Sequence, residues 1–368
     1  MRVLIDTSYV ARGASGTAVY VQALLAALRE SGGVEVVEAR QRRRLRPGRA
    51  GGPLGPLRSA ANLALDALWL HAGLPRAARA ARADAVHHPL PAHSARMGVP
   101  QVITVHDVAF LLHPDLYSRT WRLLARRSYR RAVRRAAGVI CPTEATAHDA
   151  VDLLGADPAR VFVVPWGPGQ MTAGGPHSDR TPEGAPRQSP PNGPLLFVGN
   201  AEPRKNLDGL LGAYAAYREA ETDPAELLIA GDAAGVAAGQ PGVRGTPSPT
   251  SAELRELYLG ARALVHPSLH EGFGLTPLEA MALGVPVLAV RNPGTVEVCA
   301  GAALLVDRAG LAEGLATIAS DAALRIRLSG LGIERVRDFS WAQSARGHER
   351  AYTLARDGQA SQSVPDSR

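Results

Sequence analysis

The sequence predicts an α/β protein built of two Rossmann-like, doubly wound domains facing a cleft. Three observations predict this. Short apolar runs alternate with longer helical patterns in both halves of the chain. The 368 residues are too many for one ordinary core and suit two domains. Residues 167–194 separate the two series with a stretch dense in Gly, Pro and Ser, as an interdomain linker should be. Strands alternating with helices imply parallel sheets covered on both faces, with ligands beyond the carboxyl ends of the strands.

In the first half the strand candidates are Val3–Ile5, Val34–Val37, Ala85–His88, Val102–Val105, Val139–Cys141 and Val161–Val164. In the second half they are Leu195–Val198, Leu227–Ala230, Ala263–His266, Val285–Val290 and Ala303–Val306. This divides the chain into a first Rossmann-like domain (1–166), the linker (167–194) and a second Rossmann-like domain (195–340). A carboxyl-terminal helix (341–356) is expected to pack back toward the first domain, followed by a disordered tail (357–368). The basic run 40–49 leads into an irregular stretch, 48–56, that reads as a mobile loop.

Hydrophobic content of 46% with 20% charged residues describes a globular chain, and no apolar stretch approaches the ~18 residues of a membrane span. The start, MRVLID, enters a strand at once and does not resemble a secretory signal, so the expected location is the cytoplasm. Cys141 and Cys299 make neither a disulfide framework nor a metal-ligand spacing. Residues 1–165 hold 23 Arg against 12 acidic residues, a balance of +11, and the remainder holds 18 basic against 22 acidic, a balance of −4. A basic first half suggests an anionic partner there.

Chemistry concentrates in the second half. Strand Leu195–Val198 runs into GNAEPRKN, which places Arg204 and Lys205 just past a strand end. A guanidinium fork beside a compact ammonium can clamp a diphosphate. Lys205 is the only lysine in the chain, so replacement of lysine by arginine has spared one position. Strand Ala263–His266 runs into PSLHEGFGLTPLEAMALG. Gly272 and Gly274 free this loop to approach a ligand, and Thr276-Pro277 predicts a helix start with Thr276 as N-cap and Pro277 at the first helical position. Such a helix terminus favours anions. Glu271 lies in the loop. Glu279 stands three residues after Thr276, which is also the spacing of a capping box. After strand Val285–Val290, RNPGTVEV places Gly294 and Glu297 at the same edge with no role of their own.

EGFGLTPLEAMALGVPV resembles the glutamate–seven–glutamate signature of retaining glycosyltransferases of family four, and FVGNAEPRKNLDGLL resembles that family's phosphate-binding segment. The resemblance implies the GT-B fold and transfer of a sugar, mannose as the first expectation, from a nucleoside diphosphate sugar. It implies that Arg204 and Lys205 contact the donor diphosphate, Glu271 the transferred sugar and Glu279 the nucleotide ribose. Gly272, Phe273, Gly274, Leu275 and Thr276 would line the donor, with backbone contacts from the last three. In the first half, ITVHDVAFLLHPD places His106 and Asp107 at a strand end, where family members often hydrogen-bond the donor sugar through a histidine; His106 matches it.

ARGASGTAVYVQALLAAL offers Gly13 and Gly16 between the first strand and a helix, a turn whose amides could meet donor phosphate or acceptor. Family members carry a tighter glycine pair there; here Ala14 and Ser15 intervene. His87, His88, His93 and His113 fit no zinc spacing and read as structural. No Asp-x-Asp pair stands at a strand end, and cationic side chains can neutralise a leaving diphosphate. The reaction is therefore expected to need no metal and no cofactor beyond the sugar nucleotide. RTWRLLARRSYRRAVRR, 119–135, reads as a helix with a wide arginine arc opposite a thin stripe of Trp121, Ala125, Ala132 and Ala136. It suits an anionic membrane surface on the cytoplasmic face, or a phosphorylated glycan or lipid acceptor. Only Trp121 and Tyr129 stand among the arginines, too few to suggest a base-stacking surface, so no nucleic-acid partner is expected. The rival readings are a nucleotide-sugar epimerase, a glycan phosphorylase, or a non-catalytic sugar-nucleotide-binding subunit.

Overall fold

Two parallel six-stranded sheets form the frame. The first contains β1 (Arg2–Asp6), β2 (Glu35–Ala39), β3 (Ala85–His88), β4 (Gln101–Thr104), β5 (Gly138–Cys141) and β6 (Val161–Val163), in the order β2-β1-β3-β4-β5-β6. The second contains β7 (Leu195–Val198), β8 (Leu227–Ala230), β9 (Val243–Thr246), β10 (Ala263–His266), β11 (Val287–Val290) and β12 (Leu304–Val306), in the order β12-β11-β10-β7-β8-β9. The computed structural model describes residues 1–10, 15–41, 55–169, 188–235 and 239–362. Every residue of β3, β4, β5, β8, β10 and β11 is buried. Burial on both faces is why these strands read as continuous apolar runs. Sequence reasoning missed β9, whose VRGT is an edge strand that buries none of its residues fully and contains glycine.

The helices are α1 (Gly16–Ser31), α2 (Gly55–Leu68), α3 (Leu74–Ala80), α4 (Ala109–Leu112), α5 (Arg119–Arg135) and α6 (Glu144–Leu154) in the first domain. The second domain has α7 (Leu207–Ala220), α8 (Ser251–Gly260), α9 (Leu275–Ala282), α10 (Pro293–Cys299), α11 (Leu311–Ser320) and α12 (Ala322–Val336). The closing helix is α13 (Trp341–Gln362). Two expectations need correction. The expected loop 48–56 lies outside the described residues up to 54, and α2 has begun by Gly55. The expected tail is helical as far as Gln362, because α13 continues beyond 356. Most of the linker, 170–187, and the basic run beyond Gln41 also lie outside the described residues.

Strand order reverses between β1 and β3 in one sheet and between β7 and β10 in the other. At such a switch point the loops leave in opposite directions and open a crevice. Helix α13 leaves the second domain and lies against α1 and the first sheet. Two buried histidines anchor it. His348 Nδ1 stands 2.7 Å from the Ser344 carbonyl oxygen and so carries the proton, which leaves Nε2 to accept from the Tyr20 hydroxyl at 2.7 Å. Tyr20 in turn accepts from Thr104 (2.9 Å), and Thr104 accepts from His87 Nε2 (2.9 Å). His87 Nδ1 accepts from the Tyr352 hydroxyl (2.8 Å). With both imidazoles neutral, every member of this chain has its partner.

Burial pushes His348 down to about 4, and burial with neighbouring imidazoles holds His87 well below the usual range. Both are therefore neutral in the native state, while in the unfolded chain they take up protons near pH ~6.5. Stability is unaffected above that value and falls as pH drops below it. The loss from His348 should reach about 2 kcal/mol at pH 5, and His87 adds a loss of the same sign. Denaturant titrations at pH 7, 6 and 5 should show this, and His348→Gln should remove one share of the slope. A midpoint that does not move between pH 7 and 5 would show that these imidazoles are not held neutral.

Candidate active site

The switch point of the second sheet gathers the residues the sequence singled out. β7 exits through Gly199 to a 3₁₀ turn, Pro203–Lys205, and β10 exits through Ser268 to Gly274. Because β7 and β10 are neighbours, segments 66 residues apart in sequence meet there. Asn206 sits in the left-handed region (φ 56°), and its amide donates to the Pro267 carbonyl at 3.2 Å, which ties the two exits together.

Glu271 is the centre of the cluster. Lys205 Nζ lies 2.6 Å from its Oε1, Arg204 Nη1 lies 3.0 Å from its Oε2, and His266 Nε2 lies 3.4 Å from Oε1 without the geometry of a hydrogen bond. Arg204 Nε also holds Glu202 at 2.9 Å. Burial alone would raise the Glu271 carboxyl, but Lys205 and Arg204 overbalance it and hold it well below the usual carboxylate range. The cluster is a pre-formed set of two cations facing one buried carboxylate. An arriving diphosphate would share or take those cations.

Gly272 is demanded by packing: a Cβ there would stand 1.6 Å from the His106 carbonyl oxygen. Gly274 has φ +107° and acts as the N-cap of α9, with no side chain to cap it. This corrects the expected helix start. Thr276 is not the N-cap, Pro277 is the third helical residue, and Thr276 and Glu279 form no capping box. A left-handed glycine turns the chain into the helix one residue ahead of Leu275, so the first-turn amides lack a side-chain cap. Glu279 is buried on α9 and accepts from the Tyr258 hydroxyl at 3.2 Å. The Phe273 ring is 3% exposed and packs on Trp166 (5.0 Å) and Phe339 (5.7 Å), so its side chain anchors the loop in the seam between the domains.

From the first domain, His106 reaches the same seam. Its Nε2 donates to the Pro89 carbonyl at 2.7 Å, and its ring packs against Tyr20 and Trp166. Burial pushes it down to about 4, so it is neutral; Nδ1 is a bare acceptor without a partner among the described residues. Gly16 opens α1 at an exposed position behind the N-cap Ser15, and Gly13 lies outside the described residues. Helix α5 spans the expected residues, but its faces differ from expectation. Ala132 and Val133 are buried, whereas Trp121 is 48% exposed and stacks on Tyr117. Leu123 and Leu124 are 59% and 60% exposed among the arginines. Sequence reasoning missed His266, Tyr258, Glu202 and the pair Thr143–Thr146 as neighbours of the site. His266 ends a strand already placed at the site; the others carry no local signal.

A family model described as Glycosyltransferase Family 4 matches residues 14–167, and one described as Glycosyl transferases group 1 matches residues 187–330. The chain is 33% identical over 297 residues to a D-inositol 3-phosphate glycosyltransferase of Actinosynnema mirum, covering 71% of this chain and 68% of that one. It is 31% identical to an O-antigen chain mannosyltransferase B of Escherichia coli over 44% of this chain and 46% of that one. Among solved structures, Anabaena HepE in complex with UDP-glucose shares the fold, with a TM-score of 0.65, 16% identity and coverage of 98% and 100%.

Proposed function

Because the chain belongs to the glycosyltransferases of group 1 and family 4, we propose that it moves a sugar from a nucleoside diphosphate sugar to an acceptor hydroxyl with retention of configuration. The observation that carries this reading is the Glu271 carboxylate bridging Lys205 and Arg204 at a switch-point crevice. Lys205, Arg204 and the uncapped start of α9 neutralise the leaving diphosphate. Glu271 orients the transferred sugar, Glu279 accepts from the ribose hydroxyls, and His106 Nδ1 accepts from a sugar hydroxyl. The bond from the anomeric carbon to the phosphate oxygen breaks, and the acceptor oxygen bonds that carbon on the same face. The acceptor proton passes to the leaving phosphate. Nothing in this sequence of events needs a metal, since the charge is met by side chains and amides. Mannose is the sugar we favour, from the family resemblance and the mannosyltransferase relative. A phosphorylated acceptor fits both the basic first half and the relative that acts on D-inositol 3-phosphate.

Thermal shifts with UDP, GDP and dTDP, followed by donor turnover with and without EDTA, test the reading. One nucleoside diphosphate should raise the melting temperature, and turnover should survive EDTA. Stabilisation by none of them would overturn the assignment, and a manganese-rescued loss in EDTA would overturn the metal-free mechanism. Product without an acceptor would favour an epimerase, dependence on inorganic phosphate a phosphorylase, and binding without turnover a non-catalytic subunit.

The second proposed partner is an anionic membrane surface at α5. No described helix is long and apolar enough to cross a membrane. The outward face of α5 instead mixes Leu123 and Leu124 with Arg127, Arg131, Arg134 and Arg135, all exposed. None of the arginines of α5 forms an ion pair among the described residues. Each basic residue near such a surface contributes ~1 kcal/mol. Sedimentation with anionic liposomes should carry the protein down at low salt and release it at high salt. Changing Arg126, Arg127, Arg130 and Arg131 together to Gln should abolish binding without unfolding. Indifference of the wild type to anionic liposomes at low salt would remove this partner.

A further inference from the structure

Glu297, which the sequence placed at the cleft edge without a role, touches the other domain. Its Oε1 accepts from the Glu144 amide at 2.8 Å and its Oε2 from the Ala145 amide at 3.1 Å. These are the first two amides of α6, which no residue of their own helix can satisfy. The N-cap Thr143 takes the Thr146 amide at 3.1 Å. A carboxylate from the second domain therefore closes the helix terminus of the first, with the favourable sign for the helix dipole. The Glu297 backbone is itself held, since Arg335 Nη2 donates to its carbonyl at 2.9 Å.

At the same helix start, the Thr143 and Thr146 hydroxyls lie 2.8 and 3.0 Å from the carbonyl oxygen of Gly272 and are placed to donate to it. Both threonines are almost fully buried. Gly272, the residue after Glu271, is thus wedged between the exit of β4, where the His106 carbonyl leaves no room for a Cβ, and the start of α6, which holds its carbonyl. The bonds from Glu297 to the α6 amides and from the two threonines to Gly272 cross the cleft, so they exist only when it is closed. Arg204, Lys205 and Glu279, by contrast, belong entirely to the second domain.

We infer that Glu297, Thr143 and Thr146 form an interdomain clasp that makes closure of the cleft seat Glu271 for transfer; this rests on the glycosyl-transfer reading of the site. The three are positioning residues and touch no reacting atom. The clasp separates two events: a nucleoside diphosphate binds the second domain without it, and sugar transfer requires it.

The variants that test this are Glu297→Gln and Thr146→Val, alone and combined, with Thr146→Ser as the conservative control. Small-angle scattering of the ligand-free protein should show a larger radius of gyration for the double variant than for the wild type. Calorimetry should give affinities for UDP, GDP and dTDP within about twofold of wild type. Turnover of whichever of UDP-glucose or GDP-mannose the wild type consumes should fall about tenfold for each single variant, and Thr146→Ser should restore it. Unchanged scattering and turnover in the double variant would overturn the clasp. So would a loss of nucleoside diphosphate affinity parallel to the loss of turnover, because that marks damage to the donor site. If the wild type consumes neither donor sugar, the transfer reading is what fails, and scattering still decides whether the clasp closes the cleft.

Discussion

Glu271→Gln is expected to lower turnover by about 100-fold or more while nucleoside diphosphate affinity holds or rises. The reason is the double use of one carboxylate. Glu271 engages both Lys205 (2.6 Å) and Arg204 (3.0 Å), the groups that would receive a diphosphate. Removing its charge frees those cations and removes competition for them. On the proposed reading, the same change takes away the anion that would face the transferred sugar as positive charge develops at the anomeric carbon. Gln keeps the size and one acceptor oxygen, so the Gly272 wedge against His106 survives. Calorimetry with the preferred nucleoside diphosphate, run beside steady-state turnover, checks both halves. If affinity and turnover collapse together, Glu271 is a structural counter-ion of Arg204 and Lys205 and not a sugar contact.

Lys205→Ala should weaken nucleoside diphosphate binding by about 10- to 150-fold, the loss of one charge-assisted contact worth ~1.5–3 kcal/mol. Lys205→Arg should recover only part of it. The side chain is largely buried, with Glu271 and His266 on one side. A planar guanidinium is wider than an ammonium and needs a fork of acceptors in its own plane. Arg204 already uses that geometry on Glu202 and Glu271. With Lys205 gone, Glu271 keeps Arg204 as its near cation, so turnover should fall beyond the binding loss. Equal affinity of wild type, Lys205→Ala and Lys205→Arg for UDP, GDP and dTDP would sink the diphosphate assignment.

These two residues show what was legible in the sequence. Local chemistry carried them: a lone lysine past a strand end, and a glutamate flanked by glycines before a helix. Periodicity also placed β3, β7, β8 and β10 at their observed residues, because strands buried on both faces are short apolar runs with sharp ends. The family signature added the expected roles. All of this is information held within about 20 neighbouring residues, and it determined the fold class and singled out the candidate donor residues.

Contacts across the chain decided the rest. The Thr276–Glu279 spacing fits a capping box, yet the left-handed Gly274 starts the helix earlier and turns Glu279 toward Tyr258. Trp121 fits a buried stripe by helical spacing, yet Tyr129, Ala132 and Val133 choose the buried face because the first sheet lies on that side. That Glu297 caps α6, and that His87 and His348 share one hydrogen-bonded chain, depend on bringing segments 153 and more residues apart into register. A helix amide or an imidazole nitrogen records nothing of its distant partner in its own sequence. Only the closed arrangement of two sheets and a returning α13 assigns those partners, because buried polar groups must find hydrogen bonds wherever the fold places them.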